Sequence, residues 1–99
     1  MKNFGLFYEY VPDIAARRES DREIATAHVA HVRAARDRGD IVFGAPFADA
    51  PPGAVLVFKG ETAAEVEAFA KADPFVIHKI VTTWRVREFA TPPSAAKPS

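Results

Sequence analysis

The sequence predicts an α+β fold in the order β-α-β-β-α-β, and three observations carry that prediction. The N-terminal run KNFGLFYEY alternates, with Phe4, Leu6, Tyr8 and Tyr10 on one face and Asn3, Gly5, Phe7 and Glu9 on the other, which is the period of a strand. Two segments with a helical stripe of apolar residues each follow a capping-box pattern, Ser20 with Glu23 and Thr62 with Glu65. Three further runs, DIVFGAPF, AVLVFK and IVTTWRVREF, are rich in β-branched and aromatic residues. Together they describe the split βαβ, or ferredoxin-like, arrangement: a four-stranded antiparallel sheet with both helices on one face.

Strand one ends at VPD, where Pro12 and Asp13 are placed to open a short helical turn. The first helix is expected over residues 21 to 38, with Ser20 as its N-cap and Gly39 in the left-handed position that ends it. Strands two and three form a hairpin around the turn-rich ADAPPG. In strand three Val55 and Val57 alternate with Leu56 and Phe58, which leaves both faces apolar. The second helix carries Val66, Phe69 and Ala70, and Asp73 before Pro74 reads as the cap of a new helical turn. In strand four Thr82, Trp84 and Val86 alternate against Thr83, Arg85 and Arg87.

The domain is expected to span residues 1 to 89. The segment ATPPSAAKPS, with no apolar period and two proline clusters, is expected to form a flexible tail over residues 90 to 99. An apolar second face in strands one, three and four predicts a homodimer closed through that face, because large exposed apolar patches are rare on monomers.

A chain of 99 residues is one domain in size. Its 13 basic residues balance 13 acidic ones, so no net field gathers nucleic acid or anionic membrane, and neither is expected as a partner. The absence of cysteine removes thiolate nucleophiles, disulfide scaffolds and cysteine-ligated metal. No apolar run approaches the roughly 20 residues that span a bilayer, and the N-terminus reads as a strand and not as a signal peptide, so a cytoplasmic protein is expected.

The chemistry-bearing candidates are few. The run HVAHV puts His28 and His31 on one apolar side of the first helix with Ile24 and Ala35, while Arg22, Thr26, Arg33 and Asp37 fall opposite. Two imidazoles on an apolar face need internal partners, and a nearby carboxylate would favour the charged ring and set its tautomer. Asp73 is the candidate carboxylate, since the end of the second helix lies beside the first in this topology. Tyr8 and Tyr10 fall on the helix-facing side of strand one, where their hydroxyls can line a pocket. His28, His31, Asp73 and His78 include usable metal-ligand types, but H-x-x-H lacks a determined third ligand, so no metal is expected. Phosphate loops, a serine nucleophile elbow and base-stacking ribonucleoprotein motifs are absent.

The runs FYEYVPD, HVAHV, GAPFAD and FAKADPFV closely resemble the YCII-related family, and the resemblance covers nearly all of residues 1 to 89. The resemblance implies a ferredoxin-like fold assembled as a dimeric α+β barrel, and an active-site pair of histidine and aspartate that falls on His28 and Asp73. Pro46 in GAPF and Phe75 in ADPF join Tyr8 and Tyr10 as candidate ligand contacts. The chain departs from the family in having Ala25 where an arginine often stands three residues before the histidine, and Gly44, Ala45 and Pro46 where a Gly-Pro pair is usual.

Three functions follow, in this order. The first is a cofactor-independent enzyme using His28 as general acid or base, oriented by Asp73, for isomerisation, elimination or similar proton transfer on a small organic substrate. The alternative is a non-catalytic dimeric module that binds a small ligand in the same pocket. The last is a purely structural pairing of His28 with Asp73.

Overall fold

Strand β1 (Lys2–Tyr10) is an inner strand of the sheet, and the rest of the chain is arranged around it. The structure, a computed structural model, describes residues 1 to 93; most of the expected tail, residues 94 to 99, lies outside the described residues. The elements that follow are α1 (Ile14–Ser20), α2 (Arg22–Asp37), β2 (Ile41–Pro46), β3 (Gly53–Gly60), α3 (Ala63–Ala72), the short turn α4 (Pro74–Ile77) and β4 (Val81–Glu88). The sheet order is β2-β3-β1-β4 with every pair antiparallel, and helices pack on one face. This is the ferredoxin-like α+β fold that the strand and helix periods predict.

Register decides which residues share a face, because directly opposed residues of antiparallel strands point the same way. Phe4 pairs with Phe58, Leu6 with Leu56 and with Val86, and Tyr8 with Ala54 and with Trp84. These residues meet Val66, Phe69 and Ala70 of α3, Ala35 of α2, and Phe75 and Ile80, and that set is the core. The opposite face shows Phe7, Val55, Val57 and, from β2, Phe43, which stays 56% exposed. On β4 that face carries Thr83, Arg85 and Arg87 instead. The expectation of an apolar second face therefore fails for strand four, whose apolar residues Trp84 and Val86 oppose Tyr8 and Leu6 on the helix side.

Local signals mostly place the element ends where they should be. Gly39 adopts φ +84 after α2, with its N–H donating to the Arg36 carbonyl and the Asp40 N–H to that of Ala35, the two bonds of a Schellman end. The Glu65 carboxylate accepts from the backbone N–H of Glu61 at 2.9 Å and of Thr62 at 3.5 Å, so that carboxylate closes the start of α3. Ser20 is the exception. It is the last residue of α1 and not the cap of α2, and its hydroxyl turns back to the Arg17 carbonyl at 3.5 Å. The helix break comes one residue later at Asp21, whose carboxylate is tied to Arg17 Nε at 2.8 Å. The short turn expected after Pro12 is thus a seven-residue helix that runs directly into α2.

Candidate functional site

Asp73 sits where α3 ends and α4 begins. Pro74 disfavours a helical conformation in the residue before it, and Asp73 is accordingly extended at φ −71, ψ 124. Its side chain turns inward and accepts from the Phe75 N–H at 2.9 Å, capping α4. The same carboxylate accepts from the Tyr8 hydroxyl at 2.7 Å and lies 2.8 Å and 3.0 Å, through its two oxygens, from His28 Nδ1. Asp73 is fully buried and His28 is 8% exposed. Three donors on one carboxylate is what allows a charge to sit there.

Burial alone would raise the Asp73 carboxyl, but the hydrogen bond and charge of His28, then the Tyr8 and Phe75 bonds, outweigh it and hold the group below its ordinary 3.8. An ionised carboxylate only accepts, so Nδ1 carries the proton and donates, which leaves Nε2 as the nitrogen free to take or give one. Phe75 stacks flat against the imidazole, with centroids 3.9 Å apart and planes 3° from parallel, and this fixes the ring plane. Burial, followed by the charge and bond of Asp73, keeps the Tyr8 phenol neutral. Tyr10 is likewise raised by burial, which outweighs the lowering by the Arg18 charge, while Asp73 adds a lesser raise.

Among the described residues Nε2 of His28 makes no hydrogen bond and no buried polar side-chain atom is left unpaired, so this nitrogen reaches solvent. It does so at a cleft of about 270 Å³ between α1, α2 and the β1, β2 and β3 strands. Tyr8, Tyr10 and Pro46 line the cleft with His28, as do Val29, Val32, Ala54 and Leu56. Gly44 lines it too, and a Cβ there would stand 2.9 Å from Leu56 Cδ2, so the bare backbone preserves the space. Phe75, expected as a ligand contact, is fully buried beside His28 and is not part of the lining.

The second imidazole is occupied differently. His31 Nε2 lies 2.9 Å from the Phe69 carbonyl, and its ring stacks on Phe69 with centroids 4.1 Å apart. The hydrogen-bond and stacking partners of both helix histidines therefore lie on the α3–α4 segment. His78 ends α4 at the surface. Among the described residues no three His, Cys, Asp or Glu side chains converge in a way that would hold a metal ion.

Sequence reasoning missed the cations of this cleft. Arg18 on α1 and Arg33 and Arg36 on α2 line it, with the Arg18 guanidinium 5.2 Å from the Phe75 ring and 5.9 Å from that of Tyr10. Arg33, expected on the face opposite His28, reaches the rim because a long side chain lays its stem along the helix and carries its head round the flank. The signal for Arg36 was present, since eight residues at 100° each put it about 80° from His28, on the flank that also carries Val29 and Val32. Nothing in the pattern around Arg18 announced that α1 would fold back over the cleft.

Fold and site together define a small α+β protein of ferredoxin-like architecture with a buried His–Asp pair opening on a cleft. No protein-family model and no curated protein matches the chain. Among solved structures it is similar to the 5-chloro-2-hydroxyhydroquinone dehydrochlorinase of Burkholderia phenoliruptrix AC1100, solved in complex with 2,5-dihydroxybenzoquinone. The likeness has a TM-score of 0.71 at 20% identity and covers 91% of this chain and 95% of that one, which shows a shared fold. Among the described residues no helix is long and apolar enough to cross a membrane.

Proposed function

We propose that this protein is a small homodimeric acid–base enzyme of the YCII-related family, within the dimeric α+β barrel superfamily. His28 and Asp73 are its catalytic pair, acting on a small organic substrate by isomerisation, elimination or similar proton transfer. One observation carries the reading: a carboxylate held ionised at 2.8 Å from Nδ1 leaves the other imidazole nitrogen unbonded at a cleft. That is the arrangement a general base needs, with one nitrogen oriented and the other free. Asp73 orients the ring and stabilises the imidazolium formed when Nε2 takes a proton. Tyr8, Tyr10 and Pro46 contact the ligand, and Phe75 supports the imidazole from behind. The fold neighbour's name supports the class, since a dehydrochlorinase eliminates hydrogen chloride and that protein holds a dihydroxyquinone.

The same reading puts the protein in the cytoplasm, working without a cofactor, with residues 1 to 89 as the domain and 90 to 99 as an appended tail. A second reading, a non-catalytic small-ligand-binding module, is favoured by one observation. Among the described residues the other lining groups offer no ready proton, because the two tyrosines are pushed up and arginine stays charged, so an acid partner separate from His28 is lacking.

Deuterium exchange separates the two. With 2,5-dihydroxybenzoquinone in deuterium oxide, the wild type is expected to accelerate exchange of the ring C–H followed by NMR, and His28→Ala to slow it by roughly 10²-fold or more. Line broadening of this probe without any acceleration favours the binding module; equal exchange in both proteins removes His28 from the chemistry.

A further inference from the structure

The cleft beside His28 is cationic in a chain that has no net charge. Arg18, Arg33 and Arg36 surround it, no aspartate or glutamate lines it, and among the described residues none of the three arginines forms an ion pair. The other arginines of α1 and α2 behave differently: Arg17 and Arg22 pair with Asp21 and Glu19. The C-terminal end of α2 nearby contributes about half a negative charge. Three guanidinium groups outweigh that, and Asp73, bonded to the His28 ring, is already committed to three donors.

The other walls are apolar, from Val29, Val32, Ala54 and Leu56. At about 270 Å³ the space lies just under the roughly 300–1,000 Å³ of common small-molecule pockets, which suits one ring with its substituents.

We propose that this cleft selects a one-ring organic anion, a carboxylate or an acidic phenolate, held by Arg18, Arg33 and Arg36 with the carbon frame laid toward His28. The assignment rests on the cleft being the ligand site and names the substrate class that site takes. A planar guanidinium fork matches a carboxylate in two parallel bonds, and with no carboxylate partner of their own among the described residues these arginines can turn that fork to an anion. Tyr10, kept neutral, can donate to the same anion.

The test uses the full chain and two isosteric probes, benzoate and benzamide, with affinities taken from NMR titration at constant ionic strength. Benzoate is expected to bind about tenfold or more tightly than benzamide, and Arg33→Gln and Arg36→Gln each to weaken benzoate several-fold while leaving benzamide unchanged. Both arginines are exposed, so circular dichroism should show intact folding. Inorganic phosphate should displace benzoate poorly, because it offers the apolar walls nothing. Equal affinity for the two probes, no binding of either, unchanged benzoate affinity in both variants, or full displacement by phosphate at matched concentration would each overturn the assignment. None of these outcomes bears on the deuterium exchange by His28, so failure here and failure of the acid–base reading are told apart.

Discussion

At the scale of single residues, Asp73 accepts from a helix turn, a strand and another helix with one carboxylate. Asp73→Asn keeps the Phe75 cap, because asparagine caps about as well as aspartate. It loses the charge, and its amide cannot accept at both oxygens from Tyr8 and His28, so a loss of about 1–3 kcal/mol is expected at pH 7. The sign of the pH dependence follows from the lowered carboxyl. A group depressed in the folded state contributes stability that is fully present above its unfolded value of 3.8 and disappears as pH falls through the folded value. Urea unfolding of wild type and Asp73→Asn should therefore differ throughout the range above about pH 4 and converge as pH falls below it. A gap that stays constant down to pH 2.5 would show that the charge on Asp73 contributes nothing. Nitrogen-15 spectra of the imidazole should also show the proton fixed on Nδ1 in the wild type and shared between the two nitrogens in the variant.

At the scale of elements, the end of α4 holds a cost that can be relieved. Lys79 takes φ 59, and the Ile80 and Lys79 N–H groups donate to the carbonyls of Phe75 and Val76 in a second Schellman end. A lysine in the left-handed region is disfavoured by about 1–2 kcal/mol, part of which glycine recovers against its greater freedom in the unfolded chain. Lys79→Gly is expected to stabilise the fold by about 1 kcal/mol and raise Tm by a few degrees; a lower Tm would mean that the lysine side chain contributes a contact of its own. Legibility varied with what each element depends on. The strand periods, Gly39, and Asp73 before Pro74 were readable because backbone geometry demands those residues locally. Ser20 misled because its caps-and-box spacing competes with continuation of α1, which the Arg17–Asp21 pair helps to carry one residue further. Meeting of His28 with Asp73 was legible through topology plus a family resemblance, whereas Tyr8 Oη on Asp73 and the arginine rim depend on side-chain reach that no period records.

At the scale of the whole molecule, the uncovered sheet face divides into an apolar half, Phe7, Phe43, Val55 and Val57, and a polar edge at Thr83, Arg85 and Arg87. A homodimer closed over the apolar half is expected to sediment as such at micromolar concentration. Val55→Arg should give monomer or aggregate, since it points a charge into that half; a monomeric wild type would reject the assembly. The site has a consequence at the same scale. Tyr8 and His28 reach Asp73 across 65 and 45 residues of chain, and the carboxylate they share stands at the head of a helical turn of four residues. A chain still emerging, or one in which that turn has opened, presents three ordinary side chains with no oriented nitrogen among them. On the proposed acid–base reading, reactivity is thereby reserved for the completed fold, and a damaged or unfinished copy is silent without any separate inhibitor.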